Sequence, residues 1–530
     1  MTNNQFDQLH IDKSKLVLAT DKVITHDARL VTKPIGFFQD AMKRFAKNKA
    51  SVVAAIIICI LFLYAIVGPW ISPYEISYKN TEKAYQLPFI PGLEWLGFDG
   101  CREEELTEND YHKYMAMGQE SGLNPIVKVI EIKQNYKPGR PEPVNVYVCK
   151  INTYYKSGIV TKNLTKEQFL KLQEYQNDTG IQIVYPACGE RNSPINKYDV
   201  NYWYITDKYG NPQLDENGLY QNNYLPYAGN DIYDSLRVEG EGEKLYNYAT
   251  IKGSGSGDGV SYDVRVKEYL YDQYLNAKFV EDDEGGHFVP GAEPVYWFGT
   301  NQYGEDIFTR LAYGARFSFL LAVVVAAVNL TVGAIYGAIE GYYGGVVDMV
   351  MERVSDILAS VPMYVVIALL KWYIVPELPS GVGVLLSLFM AFFITGWIGM
   401  AGSVRRQFYR FKNQEFVMAA RTLGASDFRL MFKHIFPNSL GTLVTSCVLV
   451  IPGVIFSESS LSYLGIIKLD TETLISVGTM LSQGNSAGIS KYPHIILWPA
   501  LFIALLEISF NLFGNGLRDA FNPSLRGSEG

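Results

Sequence analysis

Ala50-Ser-Val-Val-Ala-Ala-Ile-Ile-Ile-Cys-Ile-Leu-Phe-Leu-Tyr-Ala-Ile-Val67 runs for eighteen residues without a charge. As a helix it would reach about 27 Å, close to the ~30 Å hydrocarbon thickness of a bilayer. A basic cluster precedes it (Lys43, Arg44, Lys47, Lys49), and Gly68-Pro69 is expected to close it. Five further runs of this kind follow much later: 317–339, 357–374, 382–400, 440–456 and 495–513. One such run can be a buried helix of a soluble core; six nearly uncharged ones cannot all be. The sequence therefore predicts an all-α membrane protein with six transmembrane helices.

Lysine and arginine in short loops mark the cytoplasmic side. The cluster before the first helix places the N-terminus inside. Counting spans returns 403–437 to the same side, and that segment holds Arg405, Arg406, Arg410, Lys412, Arg421, Arg429 and Lys433 against Glu415 and Asp427. The segment 340–356 also belongs inside, yet carries Glu340, Asp348, Glu352 and Asp356 against Arg353 alone. Acidic residues weigh little in this rule, so the topology stands. The predicted divisions are a cytoplasmic segment 1–49, helix 1 at 50–70, an extracytoplasmic domain 71–310, a five-helix core 311–518 containing the loop 403–437, and a cytoplasmic tail 519–530. The first thirty residues are polar and mixed, without the pattern of a cleavable signal peptide.

Charge follows the same division. Residues 71–310 hold 36 acidic and 23 basic side chains, a net −13 in a chain of −8, which leaves the rest about +5. Nothing basic enough for nucleic acid is present, so no nucleic-acid partner is expected. The outer region is rich in tyrosine and β-branched residues, and Val144–Ile151 alternates as a strand does. Thr165 and Gln168 form a capping-box pattern, opening a helix that Gly180 could end. A strand, a turn at Tyr209-Gly-Asn-Pro212 and a second strand are read across 201–221. The region is thus a large α+β insertion between helices 1 and 2. Its Gly253-Ser-Gly-Ser-Gly-Asp-Gly259 tract lacks the following Gly-Lys-Ser/Thr of a phosphate cradle and reads as a loop. Cys101, Cys149 and Cys188 leave room for one disulfide; Cys59 and Cys447 lie in apolar runs. The six histidines show no ligand spacing, so no metal and no cofactor are expected.

The informative loop is Asn413-Gln-Glu-Phe-Val-Met-Ala-Ala-Arg-Thr-Leu-Gly424 and its continuation to Pro437. Phe416, Val417, Ala420, Leu423 and Gly424 recur at helical spacing as an apolar stripe. Small residues at 419, 420 and 424 allow a close neighbour, and Pro437-Asn438 should break the helix before the next span. Docking into a groove of a cytosolic protein and lying on lipid are both open to such a helix.

This segment resembles the conserved "EAA" loop of bacterial ABC importer permeases through Ala419-Ala420, Gly424, Ile435 and Pro437. Met418 stands where that motif has glutamate, and Phe436 where it has leucine. The stretch Phe298–Arg316, Gly341-Tyr-Tyr-Gly-Gly345, Ser459–Gly465 and Asn511–Asp519 followed by Asn522-Pro523 are similar to the C-type subunit of dipeptide/oligopeptide importers. So is Phe45-Ala-Lys-Asn-Lys-Ala50; the likeness covers about 30–75 and 296–526. It implies the type I ABC importer permease fold and a non-catalytic transport subunit, with ATP hydrolysed by partners. The implied partners are a homologous B-type permease, two cytosolic ABC ATPases docked through Glu415, Met418, Ala419, Ala420, Arg421, Gly424, Ile435 and Pro437, an extracytoplasmic peptide-binding protein, and membrane lipids. Nickel or another small solute is the alternative cargo, and a membrane-anchored sensor or adhesin the alternative class. Ionisable and polar groups in the spans point to Glu458, Glu507 and Asn511 as lining a translocation path. The insertion, about 74–295, is expected over the pore, engaging the binding protein or its cargo.

Overall fold

The computed structural model describes residues 37–136, 143–188, 199–207, 210–227, 246–252, 261–281, 286–379, 381–471 and 474–521. Two helices open it, α1 (Phe37–Lys47) and α2 (Lys49–Ile71), separated by Asn48, whose side chain accepts from Ser51 N at the start of α2. Gly68-Pro69 does not close α2: the helix runs on to Ile71, and the Ser72 amide bonds back to Gly68 O. Gly68 instead serves packing. A Cβ there would sit 2.8 Å from Ala312 Cβ, so its absence lets α2 lie close against the next long helix.

That helix is α6 (Ile307–Tyr343), 37 residues long. After it come α7 (Gly345–Ala359), α8 (Met363–Ile374), α9 (Val382–Phe411), α10 (Glu415–Thr422), a continuous helix α11 (Asp427–Tyr463), α12 (Val477–Ala487) and α13 (Pro493–Phe521). Five of these helices, α2, α6, α9, α11 and α13, are each long and apolar enough to cross a membrane. The expected third span at 357–374 is not one straight helix. The chain bends by 69° between α7 and α8. Pro362 lacks an N–H and disfavours helical backbone at Val361, which breaks the turn. The bent pair counts as a sixth span only if taken together.

Glycines set the closest helix pairing. On α6, Gly333, Gly337 and Gly341 recur every fourth residue and face α9. A Cβ at Gly337 would lie 2.2 Å from Ala401 O, and one at Gly341 2.7 Å from Phe408 Cβ. This is the small-residue contact by which membrane helices gain van der Waals packing, since lipid gives no hydrophobic drive between them. At the far end of α6, Arg405 forks onto Asp348 at 2.6 Å and Glu352 at 3.0 Å, with Glu340 at 3.6 Å, and Tyr409 donates to Asp348. Arg405 of the basic segment 403–412 thus meets three of the four carboxylates of 340–356. At the opposite end Arg310, 2 % exposed, pairs with Glu305 at 2.8 Å and Asp470 at 2.6 Å.

Residues 72–306 leave from that end and hold an α+β domain made of one unit used twice. The first unit is β1 (Cys101–Thr107), α3 (Glu108–Ser121), β2 (Ile126–Asn135) and β3 (Val144–Asn152), with strand order β1-β3-β2. The second is β4 (Ile159–Thr165), α4 (Lys166–Thr179), β5 (Val184–Tyr185) and β7 (Ser261–Lys267), ordered β4-β7-β5, with β6 (Ala249–Lys252) also on β7. The registers match. Leu106 pairs with Tyr147 as Leu164 does with Tyr262, and Ile126 pairs with Ile151 as Val184 does with Val266. Tyr111 stacks on Tyr147 as Phe169 stacks on Tyr262. Both 14-residue helices start at a threonine cap, Thr107 or Thr165, and end at a left-handed glycine, Gly122 or Gly180. The capping box read from Thr165 and Gln168 forms as expected.

The second unit carries the excursion between β5 and β6, whose Tyr202, Trp203 and Tyr204 pack on Ala116 of α3. The expected strands of 201–221 reduce to single bridges, Tyr204 with Asn222, Thr206 with Pro212 and Leu214 with Tyr220. Asp207 and Asp215 take the local amides of Asn211, Asn217 and Leu219, in competition with a ladder. Tyr209 and the 253–259 tract lie outside the described residues. None of the five cysteines is in a disulfide. Two buried ion pairs tie the domain together. Arg265 reaches Glu120 at 2.8 Å, and Lys83, fully buried, reaches Glu268 and Asp272 at 2.8 Å each. Burial alone would lower the Lys83 pKa, but the two carboxylates hold it above its ordinary value. A short α5 (Glu268–Leu275) supplies both acids, and β8 (Lys278–Val280) with β9 (His287–Val289) closes the domain.

Candidate functional site

The informative loop folds as α10, a left-handed turn at Gly424 (φ +81°), and the first turns of α11. The expected break at Pro437 is absent. Residues 430–435 widen into a π-turn, and Pro437 follows where its missing N–H is tolerated. The helix thus stays continuous into the membrane, coupling the exposed turn rigidly to the span.

Two faces divide the apolar stripe expected from the sequence. Val417 is fully buried in a cluster with Tyr342, Phe408, Leu430, Met431 and Ile435, and Ala420 packs against it. Phe416, at the edge of that face, and Leu423, at the C-cap of α10, stay exposed instead. Met418 and Phe428 are exposed as well, so four large apolar side chains of the loop are 40–88 % accessible. Of the residues expected to dock, Glu415, Met418, Ala419, Arg421, Gly424 and Pro437 are exposed, Ala420 is half-buried, and Ile435 is fully buried as support.

Sequence reasoning missed the residues that hold this turn. Tyr342, at the end of α6, donates to Asp427 Oδ1 at 2.5 Å, and its hydroxyl accepts from Arg421 at 3.3 Å. Lys412 donates to Gly341 O at 3.0 Å and lies 4.2 Å from the Tyr409 ring centroid. The signal was present in Gly341-Tyr-Tyr-Gly-Gly345, but nothing local said which chain segment it faced.

The three candidate path residues part company. Glu458 on α11 is fully buried and accepts from Ser462 at 2.8 Å and from Ser318 and Ser459 at 3.4 Å each. Glu507 is half-buried mid-way along α13, with Oε1 shielded and lacking a hydrogen-bond partner. Asn511, one turn on, is exposed and donates to Glu507 O at 2.9 Å. At the other end of the bundle the Phe298–Arg316 stretch is a buried polar knot. Thr300 donates to Lys83 O and accepts from Gln86 N at 2.8 Å, Asn301 bonds Glu305, and Asp306 caps α6 through Thr309 N at 2.8 Å. This knot joins the α+β domain to the helices.

The family described as "Binding-protein-dependent transport system inner membrane component" matches residues 329–527, and "N-terminal TM domain of oligopeptide transport permease C" matches 36–88. The oligopeptide transport system permease protein OppC of Bacillus subtilis is 44 % identical over 231 residues, covering 44 % of this chain and 72 % of that protein. The B. subtilis dipeptide permease DppC is 39 % identical, covering 44 % and 69 %. OppC of Escherichia coli is 40 % identical, covering 45 % and 76 %. Among solved structures, the inward-facing MetNI methionine ABC transporter aligns with a TM-score of 0.33 at 14 % identity, over 40 % of this chain and 96 % of that one, too low to carry weight.

Proposed function

Because this chain belongs to the family of binding-protein-dependent transport inner-membrane components, we propose that it is the C-type permease subunit of an ABC importer for peptides. The observation that carries the cargo is its 44 % identity to an oligopeptide permease. In this reading it is a multi-pass protein of the cell membrane with the type I importer permease fold, both termini in the cytoplasm, and 71–310 outside. The pairing of Arg405 with Asp348 and Glu352 supports that orientation, because it sets a cation of the basic segment against the acidic residues that disagreed with it.

The partners are a B-type permease completing the pore, two cytosolic ATPases, and an extracytoplasmic binding protein. The chain itself makes or breaks no bond. Its exposed apolar side chains Phe416, Met418, Leu423 and Phe428 dock on one ATPase. Val417 and Tyr342 keep the loop rigid on α6 and α11. When ATP draws the ATPases together, the motion passes through α11 into the membrane and switches the open side of the pore. Glu507 and Asn511 face the path, and Glu458 holds α11 to α6 behind it. The α+β domain sits over the entrance and engages the binding protein.

Leu423→Asp tests this reading in the assembled transporter. Co-purification of the ATPases and peptide uptake should both fall at least tenfold, while the B-type permease stays bound. Removing 103–285 should lower uptake with the ATPases still attached; unchanged uptake kinetics would refute the receptor role of the domain.

A further inference from the structure

We propose that Lys371 binds the C-terminal carboxylate of the transported peptide at the mouth of the path, a reading that rests on the peptide-permease function above. Between Ile357 and Met400 the sequence has only two charged residues, Lys371 and Glu377. Lys371 lies one helical turn after Ile367, which is fully buried, so its stem leaves α8 toward the protein and not toward lipid. Its ammonium donates to Ile466 O at 2.9 Å. An ammonium has three donors, and no carboxylate of the described residues pairs with it. A cation in a membrane helix is costly unless it meets a partner or a polar cavity.

Here it meets a cavity. A hollow of about 700 Å³ opens on Lys371 and is otherwise walled by Ala368, Trp372, Val375, Pro376, Gly465 and Ile466. One cation among apolar and aromatic walls is the chemistry that receives a carboxylate beside an apolar side chain, as at the end of a peptide. The hollow also lies at the right end of the bundle. Ile466 follows the last turn of α11, and Asp470, four residues on, pairs with Arg310 beneath the α+β domain. A carboxylate arriving there offsets the cost of the lone cation. The exposed surroundings keep the pair weak enough to release.

The experiment uses the complete transporter in proteoliposomes with its binding protein, comparing Lys371→Gln and Lys371→Arg. Glutamine can still donate to Ile466 O but has no charge; arginine keeps the charge. Uptake of a tripeptide should fall about tenfold with Lys371→Gln and stay within about threefold of the unsubstituted protein with Lys371→Arg. For the C-terminal amide of the same tripeptide, the Gln-to-native ratio should be nearer one; comparing variants on one substrate cancels the receptor's own preference. Retained uptake with Lys371→Gln, or equal loss with both substitutions, overturns the proposal. If the unsubstituted transporter carries no peptide at all, the cargo reading fails instead.

Discussion

The helix bundle and the α+β domain solve burial in opposite ways. The domain closes on itself, with Phe169, Leu172, Tyr175, Val264 and Val266 buried in one cluster and Tyr114, Met117, Cys149 and Ile151 in another. The bundle leaves large apolar side chains in the open, among them Leu63 at 57 %, Leu320 at 65 % and Ile357 at 68 %. A domain in water must cover such groups, at roughly 25 cal/mol per Å². A helix in lipid need not. The glue differs accordingly: glycine approaches and serine hydroxyls along the spans, with ion pairs at the helix ends, against buried ion pairs and stacked tyrosines through the core of the domain. The two regions should therefore fail independently when their own glue is removed.

Gly337→Leu should give the largest effect. The new side chain would begin 2.2 Å from Ala401 O, so α6 and α9 must separate, at about 3 kcal/mol or more. Thermal unfolding of the helices in detergent should drop and yield collapse, while protease cleavage within 101–281 keeps its native pattern. Collapse of both regions together would break the comparison.

Arg265→Met attacks the other side. It leaves Glu120, 2 % exposed, without its cation, and burial already holds that carboxyl above its usual pKa. The loss should be about 3–5 kcal/mol, confined to the domain. Hydrogen exchange in the full-length protein should speed up in β4, β5 and β7 and not in α6 or α9.

Threonine caps sharpen the likeness between the two units. Thr107→Ala and Thr165→Ala should each cost about 1 kcal/mol, with Thr165 the more sensitive because Gln168 returns a second bond. A large disparity in exchange between α3 and α4 would mean the shared topology hides unequal folding units.

The smallest effect is a pH response. Burial lowers the Lys267 pKa to about 8, against 10.5 ordinarily, so the unfolded chain binds the proton more tightly across that window. Domain stability should gain a rising contribution from pH 8 upward. Below pH 8 the full penalty of charging this lysine is present. Stability curves of native protein and Lys267→Met, differenced to remove tyrosine titration, should show that slope; a flat difference would rule the lysine out as its source.

Parts of this were legible in advance because their causes are local. The α4 cap needs only Thr165, Gln168 and Gly180, and a long uncharged run needs only its own composition. Pro362 was equally visible, yet the 69° bend was not, since a proline in a span can kink a helix or merely sit in it. The apolar stripe of 416–424 was half right as structure: spacing gave a helix, but which side it buries depended on Tyr342 and Phe408, far away in sequence. The repeat was hidden because residues 101–122 and 159–180 share only Leu, Thr, Lys and Gly at four aligned positions. Hydrophobic size, not identity, is what the register preserves.

By itself, then, the sequence determined that the chain crosses a membrane, where a long charged stretch separates its apolar runs, and which family its motifs resemble. These follow from transfer of side chains between solvents, which each run of residues decides alone. The pairing of Arg405 with 340–356, the closure of one unit twice over, and the placing of Lys371 beside Ile466 belong to the tertiary structure. They join residues tens to hundreds of positions apart, and only the folded backbone sets such distances.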